Sequence, residues 1–302
     1  MRMKKFMCCL LVLMLLAGMS ACCAEVPEIE QATISGKGDS EAEVSGTDEQ
    51  GTLPAEAEIE EFVLLDEKSV KITAKNIDYS GLFGPEIKVL IENNSSQNLT
   101  VQARGTSVNG YMVETMFSAD VAAGKKANDA ITLLDEDLKT CGISTIADIE
   151  LAFHVFKTDN WETYLDSTPV ILKTSAADSY TYSYDQEGTL VYDEKNIKII
   201  FKELNEGGIL GPELVMYIHN AGDKSVTVQT REVSIAGFMI DPLFSTEVCA
   251  GKHAISGVTF LSGDLEDNGI EELTDVELSF HIFDTDTWKT IDDTDTVTLL
   301  SS

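Results

Sequence analysis

Basic residues are scarce in this chain. Its 302 residues hold 21 lysines and arginines against 52 aspartates and glutamates, a formal net charge of −31. Nucleic-acid binding requires a basic surface to meet the phosphates, so that class is excluded. Docking onto anionic lipid by charge is disfavoured for the same reason. Cysteine is also sparse: Cys8, Cys9, Cys22 and Cys23 crowd the N-terminus, leaving only Cys141 and Cys249 further on. Two isolated cysteines do not make a disulfide framework and read as small buried thiols. The chain lacks H-E-x-x-H, a C-x-x-C pair, an EF-hand loop and a glycine-rich phosphate loop after a strand. The sequence therefore offers no catalytic residue, no metal set and no cofactor site, and the expectation is a protein that is not an enzyme. At 43 % hydrophobic it still carries enough apolar side chain for a core.

A long hydrophobic run occurs only at the start. Arg2, Lys4 and Lys5 precede an apolar stretch of 12 residues, Phe6 to Ala17, which is too short to cross a bilayer by itself. No charge appears from Phe6 to Ala24, so a secretory signal or an uncleaved anchor are the plain readings. Met19-Ser20-Ala21-Cys22 places small residues directly before a cysteine, and this resembles the lipobox of bacterial lipoproteins. The resemblance implies a signal peptide over residues 1–21 and a diacylglyceryl group on Cys22 as the new N-terminus. It implies a membrane partner through that lipid, at the extracytoplasmic face of the cell membrane. Met19 stands where Leu is commoner, and Cys23 follows the candidate site directly. Residues 22–61 are acidic, hold one lysine (Lys37) and lack aromatics, as expected of a disordered, self-repelling tether.

The strongest signal is internal. Gly84-Pro85-Glu86 recurs as Gly211-Pro212-Glu213, an offset of 211 − 84 = 127. The same offset carries Asp66-Glu67-Lys68 onto Asp193-Glu194-Lys195, Phe153-His154 onto Phe280-His281, and Trp161 onto Trp288. No gap is needed from Asp66 to Leu172, and about 40 % of those positions are identical. The body of the chain is a tandem duplication: repeat 1 over residues 62–174, a linker over 175–188, and repeat 2 over 189–302.

Each copy alternates apolar and polar residues in short runs. Ile87, Val89 and Ile91 alternate with Lys88, Leu90 and Glu92; Ile149, Leu151, Phe153 and Val155 alternate with Glu150, Ala152, His154 and Phe156. Period two predicts half-buried strands, and turn formers such as Asn93-Asn94-Ser95 and Thr158-Asp159-Asn160 separate them. Long amphipathic helices are absent, with room for one helical turn in Leu133 to Ile143. Roughly seven antiparallel strands in about 110 residues is the rhythm of an immunoglobulin-like β-sandwich. The segments Asn109-Gly110-Tyr111-Met112, Val121-Ala122-Ala123-Gly124-Lys125-Lys126 and Ile149 to Phe156 resemble a repeat of bacterial cell-surface lipoproteins of unknown function. That family implies an all-β fold, two tandem immunoglobulin-like domains here, and no particular chemistry.

Three sets of residues are candidates for a site. Trp161 and Trp288 follow equivalent turns, either as aromatic plugs on the sandwich end or as exposed platforms for sugar or peptide. Tyr180, Tyr182 and Tyr184 alternate in the linker, either packed between the copies or stacked on glycan. His154 and His281 share one place beside Glu150 and Glu277, and read as exposed polar pairs; four residues along a strand is about 13 Å, too far to share a metal. Repeat 2 is the more acidic copy, 7 basic and 21 acidic side chains (7 − 21 = −14) against 10 and 16 (10 − 16 = −6) in residues 62–174. Its Asp284, Asp286, Asp292, Asp293 and Asp295 read as a solvated surface rather than a calcium site. The expectation is a non-enzymatic, lipid-anchored binding or structural module of the bacterial envelope, its partner a glycan or protein. The alternative is an accessory solute-capturing or chaperone-like lipoprotein, which predicts an apolar pocket in or between the domains.

Overall fold

Strands form where the apolar residues alternate. The computed structural model describes residues 56–301; the signal 1–21, Cys22 and most of the tether lie outside the described residues. Repeat 1 opens with β1 (Phe62–Glu67), β2 (Val70–Asp78), β3 (Glu86–Asn93), β4 (Leu99–Val108), β5 (Tyr111–Met112) and β6 (Thr115–Met116). It continues with β7 (Ser118–Val121), β8 (Lys125–Leu133), the short helix α1 (Asp135–Thr140), β9 (Asp148–Lys157), β10 (Thr163–Asp166) and β11 (Val170–Lys173). Repeat 2 opens with β12 (Thr189–Glu194), β13 (Ile197–Asn205), β14 (Glu213–Asn220), β15 (Val226–Ile235) and β16 (Phe238–Met239). Then come β17 (Ser245–Val248), β18 (His253–Thr259), α2 (Ser262–Asp267), β19 (Val276–Asp284), β20 (Thr290–Asp293) and β21 (Val297–Leu299). The strand pieces outnumber the expected seven per copy because the rims break into segments of two to four residues.

In repeat 1 the sheet β1-β2-β3-β8-β6 covers a second layer, β10-β9-β4-β5, to which β7 and β11 also pair. Repeat 2 repeats the two layers as β12-β13-β14-β18 and β16-β15-β19-β20, with β17 and β21. Each copy is an all-β, immunoglobulin-like sandwich. Ile87, Val89 and Ile91 of β3 point inward at 0–1 % exposure, as their period requires. The helical turn expected in repeat 1 is present, and α2 stands 127 residues after it. The repeated Gly-Pro-Glu has a steric cause. Gly84 and Gly211 sit at φ 138° and 146°, and a Cβ on either would stand 2.0 Å from the carbonyl oxygen of Leu133 or Phe260.

The copies are joined edge to edge. β5 runs parallel to β18, Tyr111 opposite His253, and the Gly110 carbonyl accepts the His253 N–H at 3.0 Å. One sheet of each copy thereby merges into a ten-stranded sheet. Lys252 donates to Glu150 across the junction at 2.6 Å, with both side chains largely buried. β14 departs from strict alternation at one residue: Tyr217 is fully buried on the outer face and joins the core cluster of repeat 1, as does Ile200. Burying a side chain of that size contributes about 1.5–3 kcal/mol.

Two expectations are corrected. The tether does not extend to residue 61 as a solvated chain: Ala57 is 5 % exposed, and the Tyr79 hydroxyl both accepts from its N–H and donates to its carbonyl. Ile59 packs on the core of repeat 1, because small apolar residues at alternate positions suffice to anchor an extended segment. His154 and Glu150 are not freely exposed polar groups: the His154 side chain is 14 % exposed and pairs with Asp166, and Glu150 pairs with Lys252 of the other copy.

The junction is pH-sensitive. His253 stacks on Tyr111 and His219, with ring centroids at 4.9 and 4.2 Å, and its Nδ1 meets the Tyr217 hydroxyl at 2.8 Å. Burial first, then His219 and Lys252, push its pKa down from 6.5 to about 4. The unfolded chain then binds the proton more tightly than the folded one, so stability is lost as pH falls from about 6.5 towards 4. A thermal-melt series between pH 7 and 4 shows a falling midpoint, and His253→Gln flattens that slope. An unchanged slope in the variant refutes the assignment.

Candidate functional site

The β9–β10 and β19–β20 hairpins carry the most distinctive shared geometry. In repeat 1 the Lys157 carbonyl accepts the N–H groups of Asn160 and Trp161, and Lys157 N–H donates to Glu162. This turn places Trp161 at φ 61°, and the equivalent turn places Trp288 at φ 59°. The left-handed region is where a hairpin bulge ordinarily puts glycine, and an L residue there costs about 1–2 kcal/mol. The indoles are 72 % and 68 % exposed.

Behind each indole stands a stack. Trp161 lies over Phe156 at 5.2 Å and 15°, and Phe156 lies against His154 at 5.4 Å. Trp288, Phe283 and His281 repeat this at 5.5 and 5.2 Å. His154 Nδ1 is 2.5 Å from Asp166 and His281 Nδ1 2.5 Å from Asp293, so each imidazole is held by a carboxylate on the neighbouring strand. That neighbour follows from the register, in which His154 opposes Asp166 and His281 opposes Asp293. The tryptophans thus cover the buried phenylalanines with one face and leave most of their surface to solvent. They do not plug the sandwich interior. Asn160 and Glu162 flank Trp161 with hydrogen-bonding groups, and Thr287 and Lys289 flank Trp288. A flat apolar face rimmed by such groups suits a pyranose ring or a peptide.

The linker tyrosines sit in the junction. Tyr184 stacks on Tyr217 at 6.0 Å and 4°, its N–H donates to the Tyr111 hydroxyl, and Lys202 stands over its ring at 5.4 Å. Tyr182 meets Tyr111 edge-on at 5.3 Å and donates to the Cys141 carbonyl. Tyr180 stacks on Tyr182 at 6.4 Å. Tyr182 and Tyr184 are therefore half-buried among the aromatic rings of the junction. The aromatic group they build with Tyr111, Tyr217 and His253 escaped sequence reading, because those partners lie far apart along the chain.

A cleft of about 400 Å³ opens between the copies, lined among others by Arg104, Thr106, Glu114, Asp137, Glu247 and Ser256. Asp137 accepts the Glu114 N–H at 2.7 Å. Burial raises the pKa of both Asp137 and Glu247, and nearby carboxylates add to it. The Thr106 hydroxyl is buried and has no hydrogen-bond partner among the described residues. This concavity between the domains mixes those charged and polar groups with Met112, Val113, Ala254 and Ile255, and is less apolar than expected of a solute pocket.

The acidic residues late in repeat 2 are divided among separate partners. Asp284 accepts from Thr287 N–H and Lys224, and hydrogen bonding to Thr287 leads in holding its pKa down at about 2. Asp292 accepts from the Tyr192 hydroxyl, and Asp293 is taken by His281 and Arg231. Among the described residues no group of three or more histidine, cysteine or carboxylate side chains is placed to hold a metal. Cys141 and Cys249 are free thiols, and burial pushes Cys141 up to about 12. No helix among the described residues is long and apolar enough to cross a membrane.

No family model and no curated protein matches the chain. Among solved structures it is similar to the YadV chaperone, at 10 % identity over 71 % of this chain and 92 % of that one, with a TM-score of 0.24. It is similar to the Salmonella enterica SafA pilin in complex with the SafB chaperone, at 12 % identity over 78 % and 98 %, TM-score 0.24. Red sea bream transglutaminase aligns at 10 % identity over 78 % of this chain and 32 % of its own, TM-score 0.18. Similarity at this level carries no functional argument.

Replacing Trp161 by Gly relieves the left-handed backbone while losing one stacked face, so it shifts stability by no more than about 1 kcal/mol. A buried tryptophan removed from a core costs about 3–5 kcal/mol. A loss of that size in denaturant unfolding would show that the indole is a structural plug after all.

Proposed function

We propose that the chain is a non-enzymatic binding module of the bacterial cell envelope, anchored through lipid on Cys22 at the extracytoplasmic face, and that Trp161 and Trp288 stack on an envelope glycan. The observation that carries this reading is the exposed indole kept at a glycine-favouring φ in both copies. About 60 % of aligned positions have diverged between the repeats, yet this strained residue has not. Strain of this kind persists where it serves a function. Two linked weak sites raise avidity without any new contact, which suits a duplicated module on a tether. The surplus of carboxylates leaves nucleic acid outside its range of partners.

A second reading rests on the inter-repeat cleft. Its carboxylates and the unpaired Thr106 hydroxyl favour capture of a small cationic solute, in line with an accessory lipoprotein.

Isothermal titration calorimetry of the tetherless body with solubilised envelope polysaccharide tests the main reading. Trp161→Ala and Trp288→Ala each weaken binding by about tenfold, and the double variant abolishes it. A double variant that binds like the parent overturns the proposal. In cells, Cys22→Ala removes fatty-acid labelling and membrane retention, whereas Cys23→Ala retains both. Labelling that survives Cys22→Ala rejects Cys22 as the anchor.

A further inference from the structure

Repeat 2 contains an open groove of about 380 Å³ whose counterpart in repeat 1 is covered. Its floor is apolar: Leu204, Pro212, Leu265, Ile270 and Leu273. Its rim carries four carboxylates, Glu206, Glu266, Glu271 and Glu272. Shifted back by 127 residues, the floor becomes Ile77, Pro85, Leu138, Ile143 and Ile146, and the rim becomes Tyr79, Lys139, Ser144 and Thr145.

In repeat 1 this region is sealed by the chain itself. The extended segment before β1 buries Ala57 against the Tyr79 hydroxyl and packs Ile59 on the cluster that contains Leu138, Ile143 and Ile146. Glu58 pairs with Ser175 alongside. Exposure follows: Leu138, Ile143 and Ile146 are 0 %, 3 % and 0 % exposed, while Leu265 and Leu273 are 8 % and 9 % and Ile270 is only half-buried. The positions equivalent to Ala57 and Ile59 are Tyr184 and Gln186, and Tyr184 is drawn away to the stack on Tyr217. The groove of repeat 2 therefore lacks the strap that its twin has.

The geometry points to an extended peptide of a partner protein as the occupant, with small or branched apolar side chains two residues apart and lysine or arginine between and beside them. Spacing comes from Ala57 and Ile59, which show what the covered groove holds. Charge comes from the rim. At the five polar lining positions repeat 1 offers one lysine and one carboxylate, Lys139 paired with Asp135 in the place of Ser262, and it receives a segment containing Glu56, Glu58, Glu60 and Glu61. Repeat 2 offers four carboxylates, which repel such a segment and attract a basic one. A second copy of this chain, supplying its own acidic strap, is therefore disfavoured. Exposed Ile209 and Leu210 extend the apolar surface beside the groove, since the Leu210 carbonyl accepts the N–H of Ser262 in its lining. This site is independent of the tryptophan platforms.

The test uses two fluorescein-labelled hexapeptides against the full chain: Lys-Ala-Lys-Ile-Lys-Lys and its acidic counterpart Glu-Ala-Glu-Ile-Glu-Glu. Anisotropy shows saturable binding of the basic peptide that is at least about tenfold tighter than that of the acidic one. The surface variant Glu271→Lys/Glu272→Lys weakens the basic peptide at least about tenfold, and Ile270→Ser weakens it without changing the rim. Trp161→Ala/Trp288→Ala leaves it unchanged, which separates this site from the glycan reading. Absence of saturable binding, or basic-peptide binding indifferent to the rim variant, overturns the proposal. Equal or tighter binding of the acidic peptide assigns the groove to a strap from this chain or a second copy and likewise overturns it.

Discussion

A duplicated sandwich that packs against its own twin cannot stay symmetric, and the contact between Tyr111 and His253 is where that constraint acts. One main-chain hydrogen bond from His253 to Gly110 aligns β5 with β18 and turns two separate sheet edges into one continuous sheet. Edge strands left open invite pairing with other chains, and this junction closes one edge from each copy. Around that bond the outer face of β14 becomes interior, so a position held by half-buried Leu90 in repeat 1 is held by fully buried Tyr217 in repeat 2.

The differences between the copies follow from that burial. Lys126 pairs with Glu92 on the outer face of repeat 1. The equivalent residues of repeat 2 are His253 and His219, stacked face to face at 4.2 Å. An ion pair suits a wet surface, whereas a half-buried contact with Tyr111 favours rings that remain neutral. The linker is pulled into the same region, Tyr184 onto Tyr217 and Tyr182 onto Tyr111. One consequence is remote: the segment before β12 cannot lie where Ala57 and Ile59 lie in repeat 1, and a groove stays open at the far end of repeat 2.

What both copies keep divides into two kinds. Gly84 and Gly211 are kept by steric necessity, and Asn93 and Asn220 by buried hydrogen bonds. The amides of these asparagines donate to the Gln97 and Val121 carbonyls and to the Lys224 and Val248 carbonyls. The His–Phe–Trp stacks are of another kind, because their outermost member is mostly exposed and occupies a strained backbone position. Packing accounts for one face of each indole, on Phe156 or Phe283, and leaves the other to solvent in both copies.

Period-two alternation was sufficient to read the strands of β3 and β9 and the layered class of the fold, since burial of one sheet face is a local, repetitive demand. A fixed offset was sufficient to read the duplication and to pair Trp161 with Trp288. Contacts between residues far apart in the chain were not legible. His154 and Glu150 read as exposed polar groups on one strand, but strand register gave His154 Asp166 and the other copy gave Glu150 Lys252. The last residues of the tether looked solvated by composition, yet Ala57 and Ile59 found a groove beside segments as far along the chain as Ser175, which is 117 residues from Glu58. Composition and periodicity, being local sums, determined what each copy is; only the packing of one copy on the other decided which of its equivalent surfaces are closed and which remain open.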